Sequence, residues 1–129
     1  MIRSLYEVRR TYDALRLRYF HVDPRPYPVH DLPLAKELRW YWLPANSDAL
    51  GMTTFDEEGE PEEVGLATML RPSPRLLRQT LLHEMTHMRL GPTPSCGGWS
   101  HAWQGPRIPR ASTWYQETVR LVDLGALHF

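Results

Sequence analysis

The sequence predicts an α+β fold, with a helix at each end, strands between them and one long central helix. Three observations carry this. Apolar residues recur every three or four positions near the amino terminus, two later stretches have helix punctuation, and the segment between is rich in aromatic residues and broken by a turn. At 129 residues the chain has the length of one domain, and residues 1–129 are read as a single unit. Fifteen basic and fifteen acidic side chains balance, so no global field draws the protein to nucleic acid or to an anionic membrane. Only a local patch would carry nucleic-acid binding. Cys96 is the single cysteine, which rules out an intrachain disulfide and a cysteine-based zinc module. The amino terminus has no uninterrupted apolar run such as a signal peptide or membrane span requires, so the expected location is the cytoplasm.

Within residues 2–20, Leu5, Val8, Tyr12, Leu15 and Tyr19 form one stripe, with Arg3, Arg9, Arg10, Arg16 and Arg18 mostly between them. This is an amphipathic helix with a solvated basic side. The stretch HVDPRPYPVHDLP follows, where four prolines in ten positions remove amide donors and force an extended connector. Leu38 to Leu43, Ala49 to Phe55 and Glu63 to Leu70 are the strand candidates, and DEEGEPEE between the last two suits an exposed turn. They predict a three-stranded, mainly antiparallel sheet with Val64 to Leu70 as an edge strand. A central helix is expected over 74–90. Ser73 caps it, Pro74 takes the first helical position, and Gly91 with Pro92 ends it. Its leucines and methionines surround most of the circumference, which marks a buried helix. After an irregular loop, Ser112 is the expected cap of a terminal helix patterned by Trp114, Val119, Leu121, Val122 and Leu124.

The central helix contains His83-Glu84-Met85-Thr86-His87. Two histidines one turn apart lie about 6 Å apart along the axis, close enough for their imidazoles to converge on one zinc ion. Glu84 lies about 100° around the helix from His83, where it reaches a water on the metal without being a ligand. The bland alternative is three polar residues hydrogen-bonded on an ordinary helix. An apolar helix makes such residues costly without a shared purpose. His101, fourteen residues after His87 across a Gly- and Pro-rich loop, supplies a third ligand, the number that catalytic zinc usually takes from protein. Glu117 on the terminal helix is the alternative third ligand. Cys96 is a further thiolate candidate, and His21, His30 and His128 stand isolated.

The pattern His83-Glu84-Met85-Thr86-His87, a loop, then His101 with Trp103 beyond, resembles the SprT-like zinc metallopeptidases. The order of an amino-terminal helix, a strand ending in aromatic residues, a hairpin, an edge strand like Val64 to Leu70 and the HExxH helix is similar to theirs across roughly residues 2–125. Ala102 stands where that family usually has glycine, and Trp103 is closer to the histidine than its aromatic. The resemblance implies a small zincin-like domain that hydrolyses peptide bonds. Zinc would lower the pKa of its water toward about 7, and Glu84 would accept the water's proton and deliver it to the leaving amine. Tyr115 and Arg107 are candidate donors to the oxyanion. A protein or peptide substrate would lie along the edge strand Val64 to Leu70. The alternative function is a non-catalytic, zinc-containing binding or assembly protein with Trp99, Trp103 and Trp114 as its interaction surface.

Overall fold

A computed structural model describes residues 4–21, 29–92 and 113–127. Helix α1, Leu5–Tyr19, begins at Ser4, whose hydroxyl accepts from the Glu7 amide at 3.2 Å. It buries Val8, Tyr12, Leu15 and Tyr19, while Arg9, Arg10 and Arg18 face solvent, as the stripe requires. The Tyr12 hydroxyl donates to the Pro33 carbonyl at 2.7 Å, and the Ala35 amide donates to Asp13 Oδ1 at 2.9 Å. These bonds dock the end of the proline-rich connector on α1. A single 3-10 turn, Ala35–Glu37, leads into strand β1, Arg39–Trp42.

Strands β2, Gly51–Phe55, and β3, Pro61–Leu66, form a hairpin. At its tip Asp56 Oδ1 accepts from the Glu58 and Glu60 amides at 2.9 and 3.0 Å, so this carboxylate closes the turn. The sheet order is β1-β3-β2, with β1 parallel and β2 antiparallel to β3. Two expectations are corrected by this. The sheet is mixed, and β3 is its central strand, not an edge. The strand also stops at Leu66, with Thr68–Leu70 forming a 3-10 turn. The reason lies in burial: Val64, Gly65 and Leu66 are buried consecutively, the pattern of a strand covered on both faces. Strand β2 occupies one side of β3, and β1 occupies the other. Among the described residues the outer edges belong to β1 and β2.

Helix α2, Pro74–Leu90, has the bounds its punctuation predicts. Ser73 accepts from the Leu76 amide at 3.3 Å, and Gly91, at φ +90°, releases the chain in a conformation that disfavours side chains. The helix is buried around most of its surface and shares one core with Val8, Tyr12, Leu15, Val64 and Leu66. It lies across β2, while α1 meets β1 through Tyr12 and Trp40, whose ring centroids are 5.2 Å apart.

Helix α3, Thr113–Asp123, buries Trp114, Glu117, Thr118, Arg120 and Leu121. The expected apolar pattern is only partly used, since Val119, Val122 and Leu124 are 40%, 38% and 50% exposed. Charge pairing explains the rotation. Glu117 Oε2 lies 2.9 Å from Arg89 Nε and 2.8 Å from Arg120 Nε, all three side chains being buried. Arg120 also donates to the Tyr19 carbonyl, so α1, α2 and α3 are joined through ionic groups that must meet inside. The expected cap Ser112 lies outside the described residues. Among the described residues, no helix is long and apolar enough to cross a membrane.

Candidate metal and catalytic centre

The polar residues of α2 face its packed surroundings. His83 and Glu84 are 6% and 4% exposed, and His87 is half-buried. The imidazole centroids stand 5.0 Å apart with the rings at 75°. One ligand-capable atom from each of His83, Glu84 and His87 lies within 4.8 Å of the other two. This is the one such group of His, Cys, Asp and Glu among the described residues.

Trp114 encloses the histidines from α3. It is 1% exposed, with its ring 5.6 Å from that of His83 and 4.6 Å from that of His87. Its expected part in an exposed tryptophan surface is therefore corrected: the apolar ring fills the space behind the imidazoles. Strand β2 supplies the other side. The Thr53 hydroxyl donates to Glu84 Oε1 at 2.7 Å. Gly51, two residues earlier on the same face, leaves room for the carboxylate, since a Cβ there would lie 2.9 Å from Oε2.

Burial sets the protonation of this group. Loss of solvent is the larger cause that lowers His83 to about 3, with the neighbouring His87 adding to it. Loss of solvent also lowers His87 to about 4. Burial raises Glu84 to about 7, against the opposing hydrogen bond from Thr53. Both imidazoles are thus neutral near pH 7, the form that binds a metal, while the carboxyl exchanges its proton there.

A pH dependence follows for the metal-free protein. Between about 4.5 and 6.5 the unfolded chain carries the protons of both histidines and the folded chain does not, while Glu84 holds one more proton when folded. The histidines outnumber the glutamate, so unfolding takes up protons and acid destabilises. The urea midpoint of chelator-treated protein is expected to fall as pH drops from 6.5 to 5. Above 6.5 the residual histidine protons of the unfolded chain and the Glu84 proton of the folded chain nearly cancel, so the midpoint is expected to stay level as pH rises through 7. A midpoint that stays level or rises on acidification would contradict the buried, neutral histidines.

The other expected site residues are distributed as follows. His101, Arg107, Cys96, Trp99, Trp103 and His128 lie outside the described residues. Tyr115 follows Trp114 on α3 and is half-buried. Glu117 is not in the histidine group, and its carboxylate faces Arg89 and Arg120 instead. His21 and His30 also stand outside the group. Sequence reading missed Thr53 and Gly51, which carry no motif and reach Glu84 only through tertiary packing. It assigned Trp114 to the helix pattern without its contact to the histidines.

Compared with known protein families, curated proteins and solved structures, the chain matches none. The donor set is one that could hold a metal ion. Two neutral imidazoles one turn apart offer the borderline-soft nitrogens that zinc prefers, and the adjacent carboxylate has its own partner on β2.

Proposed function

We infer that the protein is a zinc-dependent peptidase on a small zincin-like fold, with Glu84 as the general base. The observation that supports this best is a carboxylate 4% exposed beside one buried and one half-buried neutral histidine, anchored by the Thr53 hydroxyl. Such a group is costly in a core and is characteristic of a site that moves protons. A purely structural zinc site usually closes with four protein ligands and needs no base. The resemblance to the SprT-like family rests on the HExxH helix and the order of elements around it.

In this reading His83, His87 and His101 hold the metal. When bound, zinc supplies Lewis acidity toward a carbonyl oxygen and lowers the pKa of water. Glu84 takes a proton from the attacking water and passes it to the leaving amine, a double role suited to a carboxyl that titrates near 7. The Trp114 ring keeps solvent away from the histidines' far side. The substrate backbone pairs with the outer edge of β2, because β3 has neighbours on both sides and β2 already touches Glu84. Tyr115 and Arg107 are the candidate oxyanion donors.

Incubating zinc-loaded and chelated protein with unfolded proteins and peptide libraries tests the activity. New termini are expected only with the metal. Absence of cleavage by a fully loaded protein would overturn the reading in favour of a zinc-containing binding protein. The ligand set is checked separately by metal analysis: His101→Ala is expected to lose zinc, and Glu117→Gln to retain it. A folded Glu117→Gln that loses zinc while His101→Ala stays loaded would replace His101 with Glu117.

A further inference from the structure

The Glu84 carboxylate is docked against β2 at both oxygens. Thr53 donates to Oε1 at 2.7 Å, and Oε2 lies over Gly51, where a Cβ would come within 2.9 Å of it and equally close to Thr80 Cγ2. The match has a geometric origin. Gly51 and Thr53 are two apart on a strand and share its helix-facing side, while Thr80 and Glu84 are four apart and share one side of α2. A short residue and a hydroxyl-bearing one therefore meet a methyl and a carboxylate in register. Thr53 pairs with Val64 on the central strand, which fixes its backbone beneath the site.

We propose that Thr53 is a positioning residue for Glu84, holding the general base through its hydroxyl in a cradle that Gly51 keeps open. The proposal rests on the peptidase reading above. A buried carboxylate has several side-chain rotamers, and displacement of about 1 Å from the productive geometry costs about 10²-fold in rate. The hydroxyl selects one orientation by bonding one oxygen, while the missing side chain at Gly51 accommodates the other. Neither residue offers a metal ligand in place of the histidines, so their effect falls on turnover and not on metal uptake. Because β2 is also an outer strand, the segment that aims the base is the one that a substrate strand would join.

Thr53→Val, which keeps the branched shape without the hydroxyl, and Thr53→Ser, which keeps the hydroxyl, form the test. With zinc loaded, Thr53→Val is expected to lower kcat about 10- to 100-fold with KM and zinc content unchanged, and Thr53→Ser to restore most of kcat. An activity-independent arm uses the chelated protein in a cycle with Glu84→Ala. Thr53→Val should lower the urea midpoint in the wild-type background and not in the Glu84→Ala background. Full kcat in Thr53→Val, an equal loss in Thr53→Ser, or additive midpoints would each overturn the proposal. Failure of wild type to cleave at all marks instead the failure of the peptidase reading. The catalytic role then falls with it, and the cycle still decides whether Thr53 holds Glu84.

Discussion

Glu84→Gln is expected to fold, to take up zinc as the wild type does, and to hydrolyse peptide bonds about 10³-fold more slowly. The amide is nearly isosteric, and its oxygen can still accept the Thr53 hydroxyl that meets Oε1 at 2.7 Å. What it lacks is the ability to accept a proton. The same substitution should not destabilise the metal-free protein. Burial raises Glu84 to about 7, so above that pH the folded core holds a charge that the amide does not impose. Zinc stoichiometry, urea midpoints and mass spectrometry of new termini measure the three effects. Cleavage at the wild-type rate would remove Glu84 from its role, whereas loss of zinc together with activity would make it a ligand.

Trp114→Ala is expected to cost about 3–5 kcal/mol of stability, because it empties the space of the largest fully buried side chain among the described residues. The consequence reaches the metal. With the ring 4.6 Å from His87 and 5.6 Å from His83, its loss frees both imidazoles to change rotamer. Zinc affinity should then drop on the order of 10-fold or more, as when supports of metal ligands are removed elsewhere. Trp114→Phe, which keeps an aromatic ring, should recover most of both. Urea denaturation of the chelated protein separates the folding term from a competitive chelator titration of the loaded one. Undiminished zinc affinity in a folded Trp114→Ala would show that the ring fills space without orienting the ligands.

The parts of the molecule that were legible beforehand share a physical property: their causes act within about one helical turn along the chain. Ser73, Pro74 and Gly91 set the ends of α2 by local backbone preferences and bonds to neighbours, so 74–90 is readable from the order of residues alone. The stripe Val8, Tyr12, Leu15, Tyr19 fixed the buried side of α1 in the same way. The spacing of His83, Glu84 and His87 likewise follows from helix periodicity, so the candidate centre could be located before any fold was known.

Structure and sequence differ where the deciding partner is distant along the chain. Alternation within a strand says which side of it is apolar but not which strand lies beside it, so the sequence points to an edge at β3 although β1 and β2 flank it. The run Val64-Gly65-Leu66 did carry a signal, since three consecutive buried residues suit a central strand. On α3 the apolar count favoured Val119 and Val122, but the pairing of Glu117 with Arg89 and Arg120 turned a different side inward. An isolated glutamate on a short helix reads as solvated, and its burial is tolerable because Arg89 of α2 and Arg120 both pair with it.

By itself, then, the sequence determined the three helices, the ends of α2 and a His–Glu–His group on that helix, because caps and periodicity are local. Tertiary structure alone decided that Glu84 would be held by Thr53, thirty-one residues away, and that Trp114 would close over the histidines. Those contacts exist only after β2 crosses α2 and α3 docks beside it, because the groups that fix the base and the ligands lie on separate elements brought together by burial.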